Sequence, residues 1–213
     1  MKIKVCGMRD TENISELVKL KPDYIGFIFY DKSKRFVTNF PEVEIPSEIK
    51  KVGVFVNESI GKVIEILEEN KLDAVQLHGN ETPEYCNQLR HSELVSESHP
   101  IEILKAFSVD NDFDFSKTEP YQKVCDFLLF DTKGKEYGGN GVKFNWQVLD
   151  NYKGTTPFLL SGGITKNDVQ ALLSFLRRQE SKKCIGIDIN SGFEIEPALK
   201  NIEEIKEFKQ NLK

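Results

Sequence analysis

Residues 24–29 read Y-I-G-F-I-F, a run without charged side chains and without alternation between apolar and polar positions. Residues 127–130, F-L-L-F, have the same character. A strand that is apolar at every position is typical of a parallel sheet covered by helices on both faces. These two segments therefore predict an α/β fold built around a buried parallel sheet.

Further apolar, β-branched segments recur along the chain, and helical patterns fall between most of them. The predicted strands lie at residues 2–6, 24–29, 52–56, 74–77, 102–106, 127–130, 157–160 and 185–189. The clearest amphipathic helices are marked by Ile60, Val63, Ile64 and Leu67 and by Val169, Leu172, Leu173 and Leu176. The helical pattern is ragged around residues 40–50 and 108–122.

Local signals add helix boundaries. Thr165 and Asp168 have the spacing of a capping pair, and Thr82-Pro83 has the form of a helix start. Leu199, Ile202, Ile205 and Phe208 predict a last helix. The polar stretches at 91–100 and 177–183 are interpreted as surface insertions, the second as an extension of the seventh helix. Both fall on αβ connections, where we expect no functional role.

Eight strands with intervening helices in 213 residues predict a single-domain (β/α)₈ barrel, a closed parallel TIM barrel spanning residues 1–213. A doubly wound open sheet is the alternative, and periodicity alone does not distinguish the two.

Composition limits the partners. A formal net charge of -5 argues against nucleic acid, and no apolar run reaches the roughly 18 residues of a membrane span. The strand-like start at residue 2 predicts a cytoplasmic protein without a signal peptide. The four cysteines are scattered without a C-x-x-C pair, so we expect free thiols, no disulfide framework and no metal site. A monomer is the default, with a homodimer as the alternative.

Reacting groups of a barrel come from the C-terminal ends of its strands and the loops that follow. Among the side chains at these positions are Cys6, Arg35, His78, Asp131 and Asp188. The first four also have ordinary structural explanations: a buried thiol for Cys6, a solvated basic loop for Arg35, a core histidine for His78 and a loop cap for Asp131. The glycine pair Gly162-Gly163 and the sequence Asn190-Ser191-Gly192 favour a phosphate site in loops seven and eight, although such dipeptides also form simple turns.

An ordered set of longer motifs resembles the phosphoribosylanthranilate isomerase family. They are K-V-C-G-M at 4–8, D-Y-I-G-F-I-F at 23–29, S-K-R-F-V at 33–37, V-G-V-F-V-N at 52–57, V-Q-L-H-G at 75–79, the D-T…G-G-N-G…F-N-W run at 131–146, L-L-S-G-G-I at 159–164 and G-I-D-I-N-S-G-F-E at 186–194. Together they extend over nearly the whole chain. Lys34, Ser161 and Asn140 depart from the residues usual in the family, and none of the three removes a reacting group.

The resemblance implies a (β/α)₈ barrel and a cofactor-free Amadori rearrangement of N-(5′-phosphoribosyl)anthranilate in tryptophan biosynthesis. It implies that Cys6 is the general base and Asp131 the general acid. Arg35 then binds the anthranilate carboxylate, Asp188 faces the sugar, and His78 lies near the substrate. The phosphate-binding residues implied by the resemblance are Gly162, Gly163, Ser191 and Gly192.

Other functions for the same scaffold are indole-3-glycerol-phosphate synthase, a pentose-phosphate epimerase, a non-catalytic phosphate-binding barrel and a thiol redox protein. Three scattered histidines disfavour the metal site of an epimerase. The presence of both Cys6 and Asp131 disfavours a simple binder, and the absence of a resolving cysteine nearby in sequence disfavours redox chemistry.

Overall fold

The computed structural model describes residues 1–92, 101–132 and 144–212, without the side chain of Glu180. Within these ranges the main sheet is a closed parallel barrel in the order β1 to β8, and β8 pairs with β1. Closure excludes the open doubly wound sheet and confirms the barrel prediction. The strands are β1 Lys2–Cys6, β2 Tyr24–Ile28, β3 Lys50–Phe55, β4 Ala74–Leu77, β5 Glu102–Val109, β6 Phe127–Thr132, β7 Phe158–Leu160 and β8 Cys184–Ile189.

Helices cover the outside of the barrel, and a small hairpin follows its last strand. The α-helices are α1 Thr11–Val18, α2 Ile60–Glu69, α3 Pro83–Arg90, α4 Val169–Leu176 and α5 Ile202–Asn211. Short 3₁₀ helices are Phe115–Tyr121, Trp146–Asn151, Lys166–Asp168, Gln179–Lys183 and Ser191–Phe193. The hairpin pairs β9 Glu194–Glu196 with β10 Leu199–Lys200 in antiparallel orientation.

The barrel strands are mostly apolar because both of their faces are largely buried. One cluster fills the barrel interior and includes Tyr24, Val52, Leu104, Leu129 and Leu159. The larger cluster lies between the strands and the outer helices. Alternate residues of one strand therefore join different clusters, which explains why no polar alternation was visible in residues 24–29.

Two of the predicted helix boundaries are wrong, and two connections contain less helix than a regular barrel. Residues 29–49, between β2 and β3, contain no helix, and a 3₁₀ helix alone follows β5. The stretch 177–183 does not extend α4, because Arg178 takes an extended conformation with φ -76° and ψ 149° before a separate 3₁₀ helix. Leu199 lies in β10 rather than in the last helix, because Asn201 caps α5 by accepting from the Glu204 amide at 3.2 Å.

Other local predictions are confirmed. The Asp168 carboxylate accepts hydrogen bonds from the backbone N–H and hydroxyl of Thr165, at 2.7 and 2.9 Å. The Thr82 hydroxyl accepts from the Tyr85 amide at 3.2 Å and caps α3. All four cysteines are free thiols. Most of the predicted insertion at 91–100 lies outside the described residues, as does the glycine-rich stretch after Asp131.

None of the helices in the described ranges combines the length and the apolar character needed to span a membrane. Over the same ranges, no group of three or more His, Cys, Asp and Glu side chains is arranged to hold a metal ion.

Candidate active site

One cavity at the C-terminal ends of the barrel strands brings together the residues singled out in the sequence. All nine line it: Cys6, Arg35, His78, Asp131, Gly162, Gly163, Asp188, Ser191 and Gly192. They come from different strands and loops, because parallel strands of a barrel all end on the same face. The cavity therefore contains a thiol, two carboxyl groups, an imidazole, a guanidinium and two glycine-rich loops.

Cys6 is the last residue of β1 and is 3% exposed. It lies opposite Gly26 of β2, where an added Cβ would stand only 2.9 Å from the Cys6 sulfur. Glycine at position 26 therefore leaves room for the thiol inside the barrel. Burial raises the pKa of the Cys6 thiol and Asp188 raises it further, while Lys4 acts in the opposite direction.

Asp131 and His78 form a close pair across the cavity. Asp131 is 7% exposed and belongs to β6, and His78 directly follows β4. The His78 Nε2 atom lies 3.3 Å from Asp131 Oδ2, and Asp131 Oδ1 accepts from the Thr132 amide at 2.8 Å. The carboxyl group is therefore fixed by its own backbone on one side, with an imidazole that can exchange a proton with it on the other.

Arg35 reaches the cavity from the connection between β2 and β3. Its Nε and Nη2 atoms donate to the two carboxylate oxygens of Glu194, at 2.8 and 2.6 Å. The same carboxylate accepts from Lys200 Nζ at 2.6 Å. Burial alone would raise the pKa of Glu194, but the charges of Arg35 and Lys200 outweigh it and hold that pKa below its usual range. The bidentate contact holds the guanidinium at the cavity in a fixed orientation.

The loop after β7 has the backbone of an anion site. Gly162 and Gly163 have φ values of +92° and +63°, in the left-handed region that favours glycine. In the part of the chain that the structure describes, the backbone N–H groups of these two residues donate to no protein acceptor. Consecutive backbone N–H groups in a glycine turn of this kind can bind an anion such as phosphate.

Replacement of Gly162 by alanine is expected to lower the free energy of unfolding by about 2 kcal/mol or more, because of left-handed backbone strain and overpacking. The added Cβ would lie 2.1 Å from the Thr132 hydroxyl oxygen and 2.5 Å from the Thr132 backbone nitrogen, which belongs to β6 and cannot move freely. Urea denaturation measures the change.

The matched control is Gly61→Ala in α2, where a Cβ meets nothing within 4 Å. We expect this control to be stabilised by about 0.5–1 kcal/mol. Equal stability of Gly162→Ala and wild type would contradict the description of this loop.

Asp188 forms an ion pair with Lys4, a second buried charged residue. Its Oδ1 atom accepts from Lys4 Nζ at 2.8 Å, and its Oδ2 atom accepts from the Ser161 hydroxyl at 3.2 Å. Lys4 itself is fully buried inside the barrel. The carboxylate at the end of β8 is therefore shared between the cavity and the barrel interior.

Several charged and polar side chains at the cavity were not singled out in the sequence. Glu194, Lys200 and Lys4 carry the charge network described above; Lys4 and Glu194 stand in the quoted motifs at 4–8 and 186–194, but no role was assigned to them. Gln76 and Thr132 also line the cavity, and in the described structure Gln76 Oε1 and Thr132 Oγ1 are buried without a hydrogen-bond partner. Buried oxygens without partners are costly, so these two atoms are candidate ligand contacts. The motif V-Q-L-H-G, which contains Gln76, could have pointed to the first of them.

Comparison with known proteins gives consistent results along the whole chain. The family model described as N-(5′-phosphoribosyl)anthranilate (PRA) isomerase matches residues 3–211. The chain is 45% identical to the N-(5′-phosphoribosyl)anthranilate isomerase of Parabacteroides distasonis, covering 100% of this chain and 93% of the relative. It is 43% identical to the protein of the same name from Phocaeicola vulgatus, covering 100% and 98%.

Solved structures agree. The phosphoribosyl anthranilate isomerase of Thermotoga maritima superimposes with a TM-score of 0.83 at 33% identity, covering 100% of this chain and 98% of that one. A phosphoribosyl anthranilate isomerase in complex with reduced 1-(o-carboxyphenylamino)-1-deoxyribulose 5-phosphate gives a TM-score of 0.77 at 30% identity, with the same coverage. The chain therefore belongs to the N-(5′-phosphoribosyl)anthranilate isomerase family.

Proposed function

We propose that this protein isomerises N-(5′-phosphoribosyl)anthranilate to 1-(o-carboxyphenylamino)-1-deoxyribulose 5-phosphate in tryptophan biosynthesis, without a cofactor. The observation that carries the proposal is the shared cavity, in which Cys6 and Asp131 lie together with Arg35 and the two glycine-rich loops. A small phosphorylated aldose with a carboxylate at its other end matches that arrangement of groups.

The substrate is anchored at its two ends. Its phosphate binds to the loops that contain Gly162, Gly163, Ser191 and Gly192, where free backbone N–H groups meet the anion. Its anthranilate carboxylate binds to Arg35, whose Nη1 atom is left over from the contact with Glu194. The ribose then lies between the two anchors, beside Cys6, Asp131, His78 and Asp188.

The reaction needs one acid and one base. The Asp131 carboxylic acid donates its proton to the furanose ring oxygen as the C1′–O4′ bond breaks, and the nitrogen lone pair forms the C1′=N bond. The Cys6 thiolate then removes the proton from C2′, and the electron pair of that bond forms the C1′=C2′ double bond of the enolamine. Protonation at C1′ and loss of the enol proton give the ketose. Each proton transfer by a positioned side chain contributes about 10²- to 10⁴-fold to the rate.

The environment of Asp131 supports the acid role. The side chain is buried at the wall of the cavity that holds the ribose, so its carboxyl group is within reach of the ring oxygen and largely shielded from bulk water. The His78 Nε2 atom lies 3.3 Å from Asp131 Oδ2, close enough to pass a proton to it.

Replacement of Arg35 by lysine is expected to raise KM about 10- to 100-fold with a smaller change in kcat, since a charge-assisted hydrogen bond is worth about 1.5–3 kcal/mol. Lysine keeps the charge but loses the planar fork that can bind Glu194 and a second carboxylate together. Steady-state kinetics measures the change. Arg90→Lys serves as the control, because Arg90 pairs with Asp126 outside the cavity and should keep wild-type KM. An unchanged KM in Arg35→Lys would remove Arg35 from the binding site.

The proposed function is tested by turnover of the purified protein. N-(5′-phosphoribosyl)anthranilate is generated in situ, the loss of its anthranilate-type fluorescence is followed, and the product is identified by mass spectrometry in combination with chromatography. We expect rapid enzyme-dependent loss of fluorescence and formation of the ketose. A folded protein that binds inorganic phosphate but gives no turnover would instead be a non-catalytic phosphate-binding barrel.

A further inference from the structure

We propose that Lys4 is a positioning residue whose buried ammonium group, kept charged by Asp188, stabilises the thiolate of Cys6. The proposal rests on the proposed function in one respect, the role of Cys6 as the base. The side chains next to Lys4 in the lower part of the barrel interior form an apolar cluster, so a fully buried lysine there needs an explanation. Removing an ammonium group from water is unfavourable unless an opposite charge compensates for it.

The register of the barrel places Lys4 directly beneath the thiol. Lys4 and Cys6 are two residues apart in β1, so their side chains point to the same face of the strand. Lys4 is paired with Asp188 in the β1–β8 register, and Cys6 is paired with Gly26 in the β1–β2 register. The thiol and the ammonium group therefore meet inside the barrel, next to the carboxylate of β8.

The missing side chain of Gly26 defines the meeting point. A Cβ built on Gly26 would lie 2.9 Å from the Cys6 sulfur and 3.1 Å from Lys4 Nζ. Any larger residue at position 26 would occupy the space into which both groups extend. Glycine at this position thus allows the sulfur and the ammonium group to approach each other inside the barrel.

Other charged groups also act on Cys6, and their arrangement singles out Lys4. Asp188 of β8 raises the pKa of the thiol, while Lys4 and, more weakly, Lys200 of β10 lower it. Arg35, from the connection after β2, also interacts with the thiolate. Lys200 and Arg35 share the Glu194 carboxylate, which offsets part of their charge. Lys4 lowers the pKa of the Cys6 thiol more than Lys200 does. Its carboxylate partner, Asp188, also accepts a hydrogen bond from the Ser161 hydroxyl.

Lys4 and Asp188 can therefore accommodate Cys6 both as a thiolate and as a neutral thiol. With Cys6 as thiolate, the ammonium group lies between two anions, and Lys200 and Arg35 supply further positive charge to the thiolate. When the thiolate takes the C2′ proton of the substrate, Lys4 remains paired with Asp188, so no buried charge is left without a partner. Burial alone raises the pKa of the Cys6 thiol, and Lys4 is what opposes that rise most strongly.

The test measures the thiolate directly and needs no substrate. The rate of alkylation of Cys6 by iodoacetamide is followed against pH, with peptide mapping to separate Cys6 from the other three cysteines. Lys4→Met should move the midpoint of this profile to higher pH. Below the midpoint, alkylation at a fixed pH should slow about tenfold if the midpoint rises by about one pH unit, because the thiolate fraction falls by that factor. The control is Lys2→Met on the same strand, where Lys2 Nζ contacts the Tyr24 hydroxyl at 2.9 Å and the profile should stay unchanged.

A second variant separates an electrostatic role from a structural one. Lys4→Gln removes the positive charge but keeps a hydrogen-bond donor for the Asp188 carboxylate, so its alkylation midpoint should rise as in Lys4→Met. Equal midpoints in wild type and in either of these two variants, with the fold intact, would overturn the proposal. Absence of isomerase turnover in the wild type would contradict the proposed function and leave the alkylation result intact.

Discussion

Replacement of Cys6 by serine is expected to lower kcat/KM about 10²-fold or more, the contribution of a general base. The substitution preserves the size of the side chain beside Gly26, but a hydroxyl group has almost no alkoxide at neutral pH. Steady-state kinetics measures the loss over a range of pH.

Cys184→Ser is the matched control for this variant. Cys184 begins β8, its thiol contacts the Gly186 carbonyl oxygen at 3.3 Å, and it does not line the cavity. This control should keep the wild-type rate and the same dependence on pH. If Cys6→Ser retained near-normal turnover with the fold intact, another group would have to be the base.

Replacement of Asp131 by asparagine is expected to lower kcat/KM about 10²-fold or more, because an amide cannot donate an acidic proton to the ring oxygen. Asparagine has nearly the same shape and can still accept the Thr132 amide hydrogen bond, so the fold should be preserved. Steady-state kinetics measures the loss, and urea denaturation checks stability. Asp112→Asn, an exposed position in the connection after β5, is the control and should behave as wild type. Normal turnover by Asp131→Asn would mean that His78 or water supplies the proton.

The barrel could be predicted because its signal is local and repeated. Each strand is short and mostly apolar, and the helical stripes of α2 and α4 lie between strands. Closure of the sheet could not be predicted from periodicity, because it depends on the pairing of β8 with β1, two segments at opposite ends of the chain. The prediction of a barrel over an open sheet depended on chain length and on the resemblance.

The candidate site was predictable to the extent that the barrel places strand ends together. Cys6, Asp131 and Asp188 stand at such ends, and the structure brings them into one cavity. The ion pairs that hold the side chains of the site in place were not predictable. Lys4 contacts a residue 184 positions away, and Arg35 contacts one 159 positions away. No local pattern marks such contacts, because they depend on strand register and on the hairpin that follows β8.

The C-terminal hairpin shows the same limit. Leu199 fits the spacing of an amphipathic helix, yet β10 pairs with β9, and the Lys200 amide donates to Asn13 of α1 at 2.8 Å. This pairing brings Glu194 and Lys200 to the cavity beside Arg35. Hydrogen bonds to distant parts of the chain outweighed a three-residue extension of the helical pattern.

The central claim is that Asp131 opens the ring and Cys6 removes the C2′ proton, and a deuterium isotope effect tests it most directly. Substrate deuterated at C2′ is compared with unlabelled substrate in wild type, Cys6→Ser and Asp131→Asn. In Cys6→Ser, C–H cleavage becomes the slow step, so the isotope effect on kcat/KM should increase. In Asp131→Asn, ring opening becomes slow, so the effect should fall towards unity. The reverse pattern, or equal effects in the two variants, would contradict the assignment of the acid and the base.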